Sequence, residues 1–162
     1  MKSVRKPLLF GIVVCLTSIV VMLIALNVEK KSVGDFVPPE FDSSAQAGTP
    51  IVPDGLGWKE LNAQAFSVGI CGKFVVTDDS ADVWFYNSAE NEVWMKLRVL
   101  DESGNILGET GLIKPNEYVQ SVILTTIPTD GTAVILKFMT YEPDTYYSAG
   151  AAELITTVER TE

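Results

Sequence analysis

The chain contains no histidine and only two cysteines, Cys15 and Cys71, and its 12 lysines and arginines are outnumbered by 21 aspartates and glutamates. Without an imidazole there is no Ser-His-Asp or Cys-His couple and no His-ligated metal site. Cys15 lies in an apolar run, so Cys71 has no partner and a disulfide framework is excluded. A net charge of −9 and a pI near 4.5 set the chain against the phosphate backbone, which removes nucleic acid as a partner. No Walker loop, dinucleotide fingerprint or C-terminal LPxTG-type sorting motif occurs. Ser3-Val4-Arg5-Lys6 has the Ser-x-x-Lys spacing of penicillin-recognising enzymes, but it sits in a short basic tail without the accompanying motifs and is a chance match.

What is present begins with an anchor. Leu8 to Leu26 is a 19-residue stretch without a charge, and as a helix it would span about 28 Å, the thickness of a bilayer core. Lys2, Arg5 and Lys6 precede it. A cleaved signal peptide competes with this reading, but the run is long for an h-region and no small-residue cleavage site follows closely; Ala45-Gln46-Ala47 lies roughly 20 positions on. Lipid attachment at Cys15 needs a small residue before it, where Val14 stands, and the apolar run continues past it. The expected organisation is therefore a cytoplasmic tail over 1–7 and a transmembrane signal anchor over 8–28. The N-terminus stays inside and the rest faces outward, in a single-pass cell-membrane protein. Residues 29–57 carry Pro38, Pro39, Pro50, Pro53 and four glycines with no hydrophobic period, which reads as a flexible linker.

From Trp58 the pattern becomes short β-rich runs separated by turn residues, with no helical period. Strands are expected at 64–70, 81–87, 92–100, 105–110, 117–125, 133–141 and 148–158, with Lys73-Phe74-Val75-Val76-Thr77 extending the first or adding an eighth. Seven strands over residues 58–162 predict an all-β, extracytoplasmic sandwich of immunoglobulin-like or fibronectin-type-III-like class, preceded by the one N-terminal transmembrane helix; a small barrel is the alternative. Period-two alternation sends Val93, Met95, Leu97 and Val99 inward and Trp94, Lys96, Arg98 and Leu100 outward. It likewise buries Val134, Leu136 and Phe138, and turns Val83 and Phe85 inward against Asp82, Trp84 and Tyr86. Two geometries remain for Trp84 and Trp94. A direct hairpin would set them opposite each other, whereas an immunoglobulin-like sandwich, the preferred arrangement, puts them on opposite outer faces.

No residue set points to catalysis, a cofactor or a metal. Asp78-Asp79-Ser80-Ala81-Asp82 and Asp101-Glu102-Ser103-Gly104-Asn105 lack the spaced oxygen pattern of a calcium loop and read as turns. Cys71 reads as a small buried residue at the end of the first strand. The remaining candidates are aromatic: Trp84 and Trp94, and the Pro-containing turn with Tyr141, Tyr146 and Tyr147, a composition suited to a protein or glycan partner.

The runs NEVWMKLRVLDESGNILGETGLIKPNEYVQSVIL and AVILKFMTYEP resemble small single-pass membrane proteins of Gram-positive bacteria, including ones encoded near conjugative elements. The resemblance spans most of 66–158 and includes the anchor and tether. It implies an extracytoplasmic immunoglobulin-like module and transfers no catalytic residue. The expected function is that of a membrane-anchored binding or assembly module, an accessory part of an envelope or conjugation-associated complex, with a carbohydrate-binding or adhesion domain as the alternative. Residues 58–162 hold seven basic and 16 acidic side chains, so the whole charge imbalance falls on the expected outer domain.

Overall fold

The computed structural model describes residues 37–161, which form ten strands: β1 (Gln46–Ala47), β2 (Trp58–Asn62), β3 (Ser67–Cys71), β4 (Phe74–Thr77), β5 (Ser80–Asn87), β6 (Trp94–Leu100), β7 (Ile106–Glu109), β8 (Glu117–Ile123), β9 (Ala133–Tyr141) and β10 (Ser148–Arg160). The tail at 1–7 and the expected anchor at 8–28 lie outside the described residues. Among the described residues no helix is long and apolar enough to cross a membrane.

The described residues form an all-β sandwich made from one curled sheet. In one layer β1, β8, β5 and β4 follow one another, and β3 pairs both β5 and β2. In the other the order is β10, β9, β6, β7. The layers join where the end of β10 leaves β9 and pairs in parallel with β4, Val158 opposite Phe74. Each of the seven expected runs contains a strand, but the count is ten, because three further pieces form. One is β4. The chain breaks from β3 at Gly72-Lys73, whose amides bond to the Gly57 and Leu56 carbonyls, so β3 and β4 pair different halves of β5.

The other two lie where sequence signals are weakest. The stretch 29–57 expected to be a linker does not remain one: from Pro38 the chain belongs to the sandwich unit. The Leu112 amide donates to the Glu40 carbonyl at 2.9 Å, the Asp42 amide to the Leu112 carbonyl at 2.8 Å, and Gln46 pairs with Tyr118. Gly111 permits this docking, since a Cβ there would stand 2.5 Å from the Asp42 nitrogen. A two-residue strand is too short to leave a period, and β2 is largely exposed, so its burial pattern does not alternate.

The inward residues agree with the alternation. Val83, Phe85, Met95, Leu97, Leu136 and Phe138 are fully or almost fully buried. Phe85 and Phe138 stack across the two layers with centroids 5.9 Å apart. β5 and β6 lie in different layers, which excludes the hairpin geometry for the two tryptophans. The connection between the layers is held by a buried amide pair. The Asn87 Nδ2 donates to the Val93 carbonyl at 2.8 Å, and the Asn91 Nδ2 donates to the Asn87 Oδ1 at 2.6 Å.

Candidate functional site

The outer face of the β10-β9-β6-β7 layer is ordered in rows by cross-strand register. Trp94 stands opposite Tyr141, and Lys96 opposite Met139 and, through it, Ala151. Glu109, Arg98, Lys137 and Glu153 form the next row, and Leu100, Ile135 and Ile155 the one after, with Ile106 beside Leu100. The charged row is ion-paired throughout. Lys96 and Arg98 meet Glu109 at 2.6 and 2.9 Å, and Lys137 meets Glu153 at 2.8 Å. The aliphatic row is open to solvent, Ile155 being 70% and Ile106 47% exposed.

Burial pushes the Glu109 carboxyl up, but hydrogen bonds and charge from Lys96 and Arg98 outweigh it and hold the group below its ordinary value. A carboxylate depressed in the folded state stabilises above its unfolded value, and that stability is lost as the pH falls through the folded one. Glu109→Gln is therefore expected to cost about 1 kcal/mol in urea unfolding at pH 7 and to cost little at pH 3. Equal losses at both pH values would show that the charge does not hold this row.

Next to these rows is an aromatic corner. The Trp94 ring meets Phe41 edge-on at 4.8 Å and Tyr146 at 5.2 Å, and the Lys114 ammonium lies 4.8 Å from the Phe41 centroid. The turn carrying Tyr146 closes through its amide to the Glu142 carbonyl, with Asp144 and Tyr146 both in the left-handed region. Tyr141 is half-buried, its hydroxyl 3.9 Å from the Met139 sulfur, and Tyr147 is 72% exposed.

The five aromatic candidates therefore separate. Trp94, Tyr141 and Tyr146 belong to this face, with Tyr147 in the adjoining turn. Trp84 is on the other layer. A β-bulge between Asp82 and Phe85 places it at φ 46°, where it stacks on Tyr118 at 6.1 Å. Sequence reasoning missed Phe41 and Lys114, because an isolated Phe among prolines carries no period. It also missed the aliphatic row, which exists only because β9 pairs with both β6 and β10.

On the outer face of the other layer, strand β3 presents Ser67 and Gly69 between larger neighbours. Glu60 and Tyr86 flank Gly69 in register, and Asn62 faces Ser67. The result is a groove of about 130 Å³ lined by Glu60, Asn62, Ser67, Gly69, Tyr86 and Ser88. The Trp58 ring covers Gly69, where an added Cβ would collide with its Cζ2 and Cη2.

Cys71 is buried, and desolvation first and the Asp82 charge second push its thiol up to about 12, so it stays protonated and unreactive at neutral pH. The acidic turn at 101–105 is occupied with its own backbone. Asp101 accepts from the Asn105 side chain first, and from the Asn105 and Ser103 amides, which holds its carboxyl below the ordinary value. Among the described residues no group of three or more His, Cys, Asp or Glu side chains is placed to hold a metal ion.

Fold and surfaces together define a two-layer all-β module with decorated outer faces. No protein-family model matches the chain. No curated protein matches it. Among solved structures, the crystal structure of CopC from Methylosinus trichosporium OB3b is similar at a TM-score of 0.37 and 16% identity, over 65% of this chain and 97% of that one.

Proposed function

We propose that the chain is a membrane-anchored, outward-facing binding or assembly module, an accessory subunit of an envelope or conjugation-associated complex, held at the membrane by residues 8–28. The observation that carries this reading is the outer face of the β10-β9-β6-β7 layer. An aromatic corner, an ion-paired row and an exposed aliphatic row succeed one another there, the mixture of ring, cation and aliphatic surface on which protein interfaces draw. Lys96, Arg98, Lys114 and Lys137, four of the seven basic side chains in residues 38–161, gather on it. Grouping β3, β4, β5 and β8 against β10, β9, β6 and β7 supports the immunoglobulin-like or fibronectin-type-III-like reading of the sandwich. The basic flank at Lys2, Arg5 and Lys6 supports an inside N-terminus. No catalytic centre, cofactor or nucleic acid enters this reading.

The test is site-dependent photo-crosslinking of the full-length protein in its native membrane. A photoreactive residue at position 155 is expected to give one discrete protein adduct, and the same residue at exposed position 120 on β8 none. Only monomer from both positions, or the same adducts from both, would refute the assignment of this face.

A further inference from the structure

We infer that the groove across β2, β3 and β5 is a binding site for an uncharged pyranose. It lies on the layer opposite the proposed protein-binding face and stands independently of it. The groove exists because Ser67 is small and Gly69 has no side chain, so that the Trp58 ring lies over part of Gly69 and the rest stays open, while Glu60 and Asn62 on one neighbour and Tyr86 and Ser88 on the other side rise around it. At about 130 Å³ it takes a single ring rather than a polypeptide segment.

Its chemistry is mixed in the way a polyol requires. Glu60 accepts one hydrogen bond, from the Trp58 Nε1 at 3.2 Å, and among the described residues no cation lies within ion-pair distance, so carboxylate lone pairs remain for hydroxyl donors. Tyr86 Oη accepts from the Ala89 amide at 3.2 Å and keeps its own proton to donate. Asn62 Oδ1 accepts from the Ser67 Oγ at 2.7 Å. The Tyr86 ring, which lines the groove, offers aromatic carbon to the C–H face of a sugar. An anionic ligand would meet the Glu60 charge, and a simple cation would leave the donors unused.

The floor is preorganised. The Ser67 amide donates to the Asn91 Oδ1 at 2.9 Å and the Ser67 carbonyl accepts from the Asn91 Nδ2 at 2.6 Å, so Asn91 substitutes for a strand neighbour where β5 has ended. Preorganisation lowers the ordering cost on binding.

The experiment is a ¹⁵N NMR titration of the full-length chain in detergent micelles with glucose, galactose, mannose and N-acetylglucosamine, and with galacturonate as the charged counterpart. At least one neutral sugar is expected to shift the Trp58 indole N–H and the Gly69 amide saturably, with galacturonate weaker than galactose. Tyr86→Phe should weaken binding roughly three- to tenfold, the worth of one hydrogen bond, without altering the fold. Gly69→Ala, which displaces Trp58, should abolish it, and Trp94→Ala should leave it unchanged. No saturable shift with any sugar, shifts confined to Trp84 or Trp94, or galacturonate binding as tightly as galactose would each overturn the proposal. None of these outcomes bears on crosslinking at position 155.

Discussion

Phe138→Ala is expected to destabilise the sandwich by about 3–5 kcal/mol, a large share of the roughly 5–15 kcal/mol that holds a domain folded. Phe138 is fully buried in the middle of β9, and its ring stacks on Phe85 of the opposite layer. The lost term is twofold. Transfer of an aromatic side chain out of water is forfeited, and a cavity opens between two sheets whose backbone ladders restrain them from closing over it. β9 is bonded on both sides, to β6 and to β10, so its backbone has little freedom to move inward. Phe138→Leu, which refills much of the volume, should cost less than half as much. The check is urea denaturation of both variants followed by tryptophan fluorescence. A loss under about 1 kcal/mol for the alanine variant would mean that the layers can collapse and that the packing between them is not what holds them in place.

Asn87→Ala comes second, at roughly 2–4 kcal/mol, and it acts through polar groups instead of volume. Asn87 is fully buried. Its Nδ2 bonds to the Val93 carbonyl at 2.8 Å and the Ile113 carbonyl at 3.2 Å, and its Oδ1 accepts from the Asn91 Nδ2 at 2.6 Å. The Ile113 carbonyl would keep the Met95 amide. The Val93 carbonyl and the Asn91 amide would each lose a partner that the apolar surroundings cannot replace. The effect should also be local, because Asn91 clamps Ser67. Exchange of the Ser67 amide in the variant should accelerate more than that of the Leu97 amide in the middle of β6. Uniform acceleration would indicate that Asn87 supports only global stability.

Strand identity was legible because it is written locally. In Val93 to Leu100 the period-two alternation, and in Ala133 to Tyr141 the outward demand of Lys137, state which side chains are buried, and from Met95 to Val99 and from Val134 to Phe138 the observed burial follows, while Val93 is only half-buried. Cys71 was legible for another reason, the usual burial of an unpaired cysteine at a strand end. Trp58, Phe41 and Lys114 were not. Trp58 stands at the start of a strand with no alternation, and the meaning of its ring depends on Gly69, eleven residues away and on another strand. Phe41 and Lys114 gain their role only when the Pro38 to Ala47 segment docks along Leu112 and Tyr118, through backbone bonds joined by the Gly111 amide on the Asp42 carboxylate and the Tyr118 hydroxyl on Gln46, none of which leaves a period in the sequence.

By itself, then, the sequence determined an all-β domain, the faces of the three strands at 81–87, 93–100 and 133–141, the absence of imidazole and disulfide chemistry, and an acidic surface. Composition and period two depend on neighbours along the chain and need no partner strand. The tertiary structure decided which strands lie side by side, and so which side chains meet: Trp94 with Phe41 and not with Trp84, Ile155 with Ile135 and Leu100, and the small residues of β3 between Glu60 and Tyr86. Backbone hydrogen bonds carry no residue code, so pairing is settled by packing over the whole sandwich, and its surface sites come into being only with that pairing.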